Sequence, residues 1–184
     1  MVRLLVLIGY RACGKSTLGR LVAARLAWPF ADADAVLEER LGSSLATFFA
    51  AQGESAFRDR EETVITELLT RPGPLVLATG GGAIIRAGTR ARLKNPEIMV
   101  VWLRAEAALV QERLRHNLGG RMSLSGSSPV DEAPRIMAER EPWYRDTAGL
   151  VLDAARPVET LADELAEEMA KRITRGNSSD RAPA

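Results

Sequence analysis

Residues 3–26 read RLLVLIGYRACGKSTLGRLVAARL, and the segment GYRACGKST at 9–17 decides how the rest is read. LLVLI is the continuous apolar run that a strand buried on both faces requires. After it, Leu18, Leu21, Val22 and Leu26 fall at helical spacing. Gly9, Gly14, Lys15 and Ser16 satisfy G-x-x-x-x-G-K-[ST] between a strand and a helix, the context that identifies a phosphate-binding loop. In such a loop the main-chain N–H groups of Arg11, Ala12, Cys13, Gly14, Lys15 and Ser16 surround an anion at the positive end of a helix. Lys15 reaches the β- and γ-phosphates of ATP, Ser16 offers its hydroxyl to Mg²⁺, and Thr17 completes the motif. The plain alternative is a glycine turn with an incidental lysine, and the flanking strand and helix weigh against it. A methyl group at position 12 is expected only with negative φ. Cys13, beside Lys15 and a helix N-terminus, has surroundings that favour thiolate; a small residue that merely fits is the simpler reading.

Strand and helix patterns then alternate along the chain. WPFADADA reads as a short strand ending at Asp32 or Asp34, AVLEERLG as a helix closed by Gly42, and SLATFFAAQG as a helix capped by Ser44 and stopped by Gly53. ESAFRDREETVITELLT is a longer helix, and PLVLATGGG is an apolar strand ending in three glycines. A helix through TRARLKN, the strand EIMVVWLRA, helical stretches at 106–117 and 129–146, the strand GLVLDA and a helix through ETLADELAEEMAKRI complete the pattern. Five strands alternating with helices predict an α/β three-layer sandwich, a parallel sheet with helices on both faces and ligands bound at the carboxyl ends of its strands. One domain over 1–172 is expected, with TRGNSSDRAPA as a frayed tail over 173–184. Trp28, Trp102 and Trp143 are expected to pack against the sheet.

Composition narrows the partners. The 184 residues are 46% apolar and 27% charged, which suits a self-sufficient core rather than disorder. Lys and Arg number 25 against 24 Asp and Glu, so a net charge of +1 offers no field for a nucleic-acid backbone, and an anion must be held by local geometry. One cysteine rules out an internal disulfide and suits a reducing cytoplasm. The first apolar run is too short for a signal-peptide core, and no run approaches the ~18 residues of a membrane span. A cytoplasmic monomer without membrane or nucleic-acid partners is expected.

Asp32 and Asp34 alternate, so on a strand they share a face, and paired acids there suit metal orientation and proton abstraction from a hydroxyl. In order and spacing, GYRACGKST, ADADA, GESAFRDRE, ATGGG, GGRMSLSG and EREPWYRDTA resemble shikimate kinase, a small P-loop kinase, over roughly residues 3–172. The resemblance implies a P-loop kinase fold with a lid at about 118–128 and acceptor-binding helices at about 33–62. It implies that Arg58 and Arg140 clamp the shikimate carboxylate, a job for which two planar guanidinium forks are suited. It also implies Asp34 as the base at the shikimate hydroxyls, Asp32 as the acid linked to Mg²⁺, and Gly80, Gly81 and Gly82 as a turn that substrate approaches closely. Phe57 packs on the substrate ring, and Glu61, one turn after Arg58, pairs with that arginine. Arg121 is the lid arginine that reaches the transferring phosphoryl, although Met122 follows it where the family carries Pro. Arg115 and Arg156 are the resemblance's candidates for the two sides of adenine.

The function so implied is transfer of the γ-phosphoryl of ATP to the 3-hydroxyl of shikimate, by positioning and charge neutralisation. Two other readings stand beside it. One is a different small-molecule kinase on this scaffold, for gluconate or a nucleotide; the other is a ligand-sensing module that binds without turnover.

Overall fold

A computed structural model describes residues 1–116 and 128–179, with side chains through 174. β1 (Leu4–Ile8) is wholly buried and occupies the centre of a five-stranded sheet, as its unbroken apolar run requires. The order is β2 (Phe30–Asp32), β3 (Leu75–Ala78), β1, β4 (Ile98–Arg104), β5 (Leu150–Asp153), and every pair is parallel. Parallel neighbours need crossovers, and helices provide them on both faces.

The alternation of side chains along β1 divides the core. Leu5 and Leu7 face one cluster, which includes Leu18 and Val22 of α1 (Lys15–Leu26), Val110 of α5 (Ala107–His116) and Leu165 of α7 (Val158–Ser179). Leu4, Val6 and Ile8 face the other, which includes Leu37 of α2 (Ala33–Leu41), Ile65 of α3 (Leu45–Thr70), Leu93 of α4 (Ala87–Leu93) and Tyr144 of α6 (Pro129–Thr147). The expected three layers and strand order along the chain are therefore present. Because all strands run the same way, the loops after β1, β2, β3 and β5 gather at one edge.

Local signals act as their chemistry dictates. Ser44 caps α3 by accepting from the Thr47 amide at 3.1 Å, and Gly53 (φ 79°, ψ 174°) kinks α3 rather than ending it. α6 carries two internal prolines. Pro134 leaves the Val130 carbonyl without its helical donor, and Gln111 of α5 fills that place at 2.9 Å.

Three further expectations need correction. Asp32 closes β2, whereas Asp34 lies in the first turn of α2, so they do not share a strand face. Trp143 is 38% exposed beneath the Arg90 guanidinium, because α6 turns that position away from the sheet; Trp102 lies within β4 and is buried. α7 continues to Ser179, past the expected boundary at 172, since a helix nucleated by buried residues such as Met169 propagates beyond them. The expected lid falls almost wholly outside the described residues.

Candidate active site

The phosphate-binding loop joins β1 to α1 and turns sharply. Gly9 (φ 145°) lies so close to β4 that a Cβ would stand 2.6 Å from the Leu103 carbonyl oxygen, and Gly14 (φ 107°) caps α1. Ala12 has φ 61°, contrary to the expected negative value: the loop takes the left-handed conformation there despite the methyl group, at about 1 kcal/mol. Arg113 of α5 braces this strained corner, donating to the carbonyls of Cys13 at 2.9 Å, Ala12 at 3.4 Å and Ala154 at 3.1 Å. Lys15 is buried, and its Nζ donates to the Gly9 and Tyr10 carbonyls at 2.9 and 2.8 Å. Cys13 Sγ lies 3.7 Å from that Nζ and packs in the apolar cluster beneath the loop.

The two acids meet the loop at the β2 to α2 junction. Ser16 donates a very short hydrogen bond from Oγ to Asp32 Oδ2, while Asp32 Oδ1 caps α2 by accepting from the Asp34 amide at 3.1 Å. One carboxylate thus faces the hydroxyl of the loop and starts a helix, and that start aims Asp34 into the cleft. Burial pushes the Asp34 carboxyl up to about 6; the charges of Glu61 and Asp32 add to the shift, and Lys15 opposes it.

Opposite the loop, α3 presents Arg58 and Glu61 one turn apart. They are 5% and 4% exposed and pair at 2.7 Å, and Glu54 accepts from the same guanidinium at 3.2 Å. Burial raises the Glu61 pKa, with Arg58 acting against it. Arg58 lies over the Phe57 ring at 5.1 Å, and Phe57 rests on Phe49. The glycine turn after β3 has no room for side chains: a Cβ at Gly80 would stand 2.6 Å from both Asp34 Oδ1 and Glu61 Oε1, and one at Gly82 would collide with the Arg58 guanidinium. The Gly81 carbonyl accepts from Arg140 at 3.0 Å and from the Tyr144 hydroxyl at 2.6 Å. Tyr144 in turn stacks on Trp102.

The loop from Arg11 to Thr17, the acids Asp32 and Asp34, the α3 side chains Phe57, Arg58 and Glu61, the glycine turn and Arg140 line one cleft of about 930 Å³ at the carboxyl edge of the sheet. Every described residue assigned from the sequence lines it except Arg115. Arg121 and Met122 lie outside the described residues. Arg115 is exposed and away from the cleft, where Arg113 stands instead. Two residues apart on a helix means about 200° apart, so both cannot face the loop. Arg156 lines the cleft but is also held by both carboxylate oxygens of Glu164. Sequence reasoning missed Arg113 and Tyr144. The helical position of Arg113 beside Val110 and Leu114 was a usable signal, whereas nothing in the sequence singled out the Tyr144 hydroxyl. Among the described residues no group of three or more His, Cys, Asp or Glu could hold a metal by itself, and no helix is long and apolar enough to cross a membrane.

The arrangement places a phosphate-binding loop, a raised-pKa carboxylate and two buried arginines around one space. Residues 11–173 match the family model described as shikimate kinase. Shikimate kinase of Nitrobacter winogradskyi is 42% identical over 174 residues, covering 95% of this chain and 80% of that protein. That of Paracidovorax citrulli is 45% identical over 151 residues, covering 82% and 81%. Among solved structures, shikimate kinase from Acinetobacter baumannii in complex with shikimate superposes with a TM-score of 0.82 at 32% identity, covering 96% of this chain and 95% of that one.

Proposed function

The chain belongs to the shikimate kinase family of ATP-dependent kinases, and from that premise we propose how its own residues carry the γ-phosphoryl of ATP to the 3-hydroxyl of shikimate. The observation that carries this reading is the convergence of Arg58 and Arg140 on the glycine turn, in the one cleft that the phosphate-binding loop and Asp34 also line. Two guanidinium groups suit one carboxylate, and fixing them in place by Glu61, Glu54 and the Gly81 carbonyl prepays the ordering of the acceptor.

Asp34 takes the proton from the attacking hydroxyl. With a pKa raised to about 6 it is ionised at neutral pH yet basic enough to compete for that proton. The main-chain N–H groups of residues 11–16 and the Lys15 ammonium hold the phosphates, with Thr17 beside them, and Lys15 balances charge as it moves to the leaving oxygen. Gly80, Gly81 and Gly82 let shikimate lie against the backbone, and Phe57 supplies an apolar wall for its ring. Ser16 and Asp32 offer hard oxygens already paired with each other, which suit Mg²⁺ bound mainly through phosphate and water. When bound, that ion neutralises phosphate charge. Arg113 and Arg156 border the nucleotide side, and Arg121 in the lid segment is assigned to the transferring phosphoryl.

A buried free thiol with a need for ATP suits the cytoplasm. ADP release measured with shikimate, quinate and gluconate tests the assignment. Turnover is expected with shikimate and far less with the others; binding without turnover would favour a sensor, and preference for gluconate would move the chain's substrate.

A further inference from the structure

The glycine turn carries no side chains of its own, so it is placed by main-chain bonds and by the packing of the segment that follows it. At Gly81 the carbonyl is held by Arg140 and the Tyr144 hydroxyl. Downstream the chain enters a short 3₁₀ turn, Ala83–Ile85, in which the Ala83 and Ile85 amides donate to the Gly80 and Gly82 carbonyls at 3.2 and 2.9 Å. Carbonyls at the end of so short a helix have no helical donor. Arg90 of α4 supplies one: its Nη1 donates to the Ile84 carbonyl at 2.6 Å and to the Ile85 carbonyl at 2.8 Å. The nearby arginines Arg86 and Arg92 pair with Asp59 and Glu62 of α3. Arg90 pairs with no carboxylate among the described residues and lies instead over the Trp143 ring, 5.2 Å from its centre. Indole is the aromatic face that best attracts a cation. Trp143 stands on α6 within about one turn of Arg140 and Tyr144, so one short stretch of that helix meets the glycine segment at both ends. The fit at the glycines is close: a Cβ at Gly80 would stand 2.6 Å from Asp34 Oδ1 and Glu61 Oε1, and one at Gly82 would strike Arg58. A small displacement of the turn is therefore felt by each of these acceptor groups.

We propose that Arg90 is a positioning residue for the acceptor site: held over Trp143, its guanidinium ties the 3₁₀ turn to α6 and so fixes the glycine turn against Asp34, Arg58 and Glu61. The inference rests on the glycine turn belonging to the shikimate site. Neither Arg90 nor Trp143 lines the cleft, so both act through the turn, and Trp143 acts through Arg90. The otherwise unexplained exposure of a tryptophan on α6 is the cost of this tie.

The test uses Arg90→Met, Arg90→Lys, Trp143→Leu and the Arg90→Met, Trp143→Leu pair in the full chain, with KM read separately for shikimate and ATP. Arg90→Met keeps an apolar stem but donates no hydrogen bond, and it is expected to raise the shikimate KM about ten-fold with the ATP KM within about two-fold. Arg90→Lys leaves an ammonium that can donate to both carbonyls, and its shikimate KM is expected to lie within about two-fold of wild type. Trp143→Leu is expected to raise the shikimate KM about three-fold alone and to add nothing to Arg90→Met. A general loosening of the fold would raise both KM values. An unchanged shikimate KM in Arg90→Met, a parallel rise for ATP, no rescue by Arg90→Lys, or a Trp143→Leu loss that multiplies onto that of Arg90→Met overturns the inference. If Arg90→Met does not accumulate as folded protein, Trp143→Leu at its exposed site still decides, since it must raise the KM for shikimate and leave that for ATP. Wild-type turnover of shikimate in the same assay separates a failure of this inference from a failure of the kinase assignment.

Discussion

Replacing Asp34 with Asn should abolish most turnover and make the protein more stable, and the two effects share one cause. The Asp34 carboxyl is pushed from its ordinary 3.8 up to about 6. A folded pKa above the unfolded one means that the native state binds the proton more tightly, so wild-type stability falls as pH rises from about 4 to about 6 and stays lowered above that window. A shift of roughly two units at about 1.4 kcal/mol each sets an upper bound near 3 kcal/mol at neutral pH. Asn is close in shape and carries no charge to desolvate or to repel Glu61 and Asp32, so ~1–3 kcal/mol should be recovered, or roughly 2–10 °C in Tm for a chain of this size. The gain should shrink as pH falls from 6 to 4, because the native carboxyl is then protonated and the unfolded one increasingly so. Loss of a general base should lower kcat by about 10²–10⁴. Thermal melts of both proteins at pH 7.5, 6 and 4.5, beside ADP-release rates, measure all of this. A variant that is less stable at pH 7.5, a gain that does not depend on pH, or near wild-type kcat would refute the reasoning.

The same pKa sets an acid limb: wild-type kcat/KM should fall about ten-fold between pH 7 and pH 5, whereas an ordinary aspartate would stay ionised over that range, and a pH–rate profile distinguishes them. Arg58→Ala should raise the shikimate KM strongly and also destabilise the fold by about 3 kcal/mol, because it leaves the buried Glu61 carboxylate without its principal partner; urea melts beside kinetics would show both. Ala12→Gly should stabilise the protein by up to about 1 kcal/mol by relieving a left-handed alanine, with unchanged shikimate KM, as a melt and one substrate titration would reveal.

Much of the fold was legible because its signals are local. A strand buried on both faces must be apolar throughout, and LLVLI, LVLA and IMVVWL are. Gly42 and Ser44 sit where a helix end and a helix start need them. The Arg58 and Glu61 pair was legible for the same reason, since three residues on a helix put two side chains on one face whatever surrounds them. Asp32 and Asp34 were read through the wrong periodicity: both reach the cleft, but by a strand end and a helix cap. Ala12 misled because an isolated residue's preference was set against a loop whose path is fixed by β4 and Arg113.

By itself the sequence determined the parallel α/β architecture, the loop that takes phosphate, and the residue types available for an anionic acceptor, because periodicity and short motifs express backbone and side-chain chemistry within a few residues. Tertiary structure alone decided that Arg113 rather than Arg115 meets the loop, that Asp34 is recessed beside Glu61 and thereby raised in pKa, and that Arg90 lies over Trp143. Burial, distance and the meeting of a guanidinium with an aromatic ring are properties of segments brought together by packing, and no stretch of chain carries them alone.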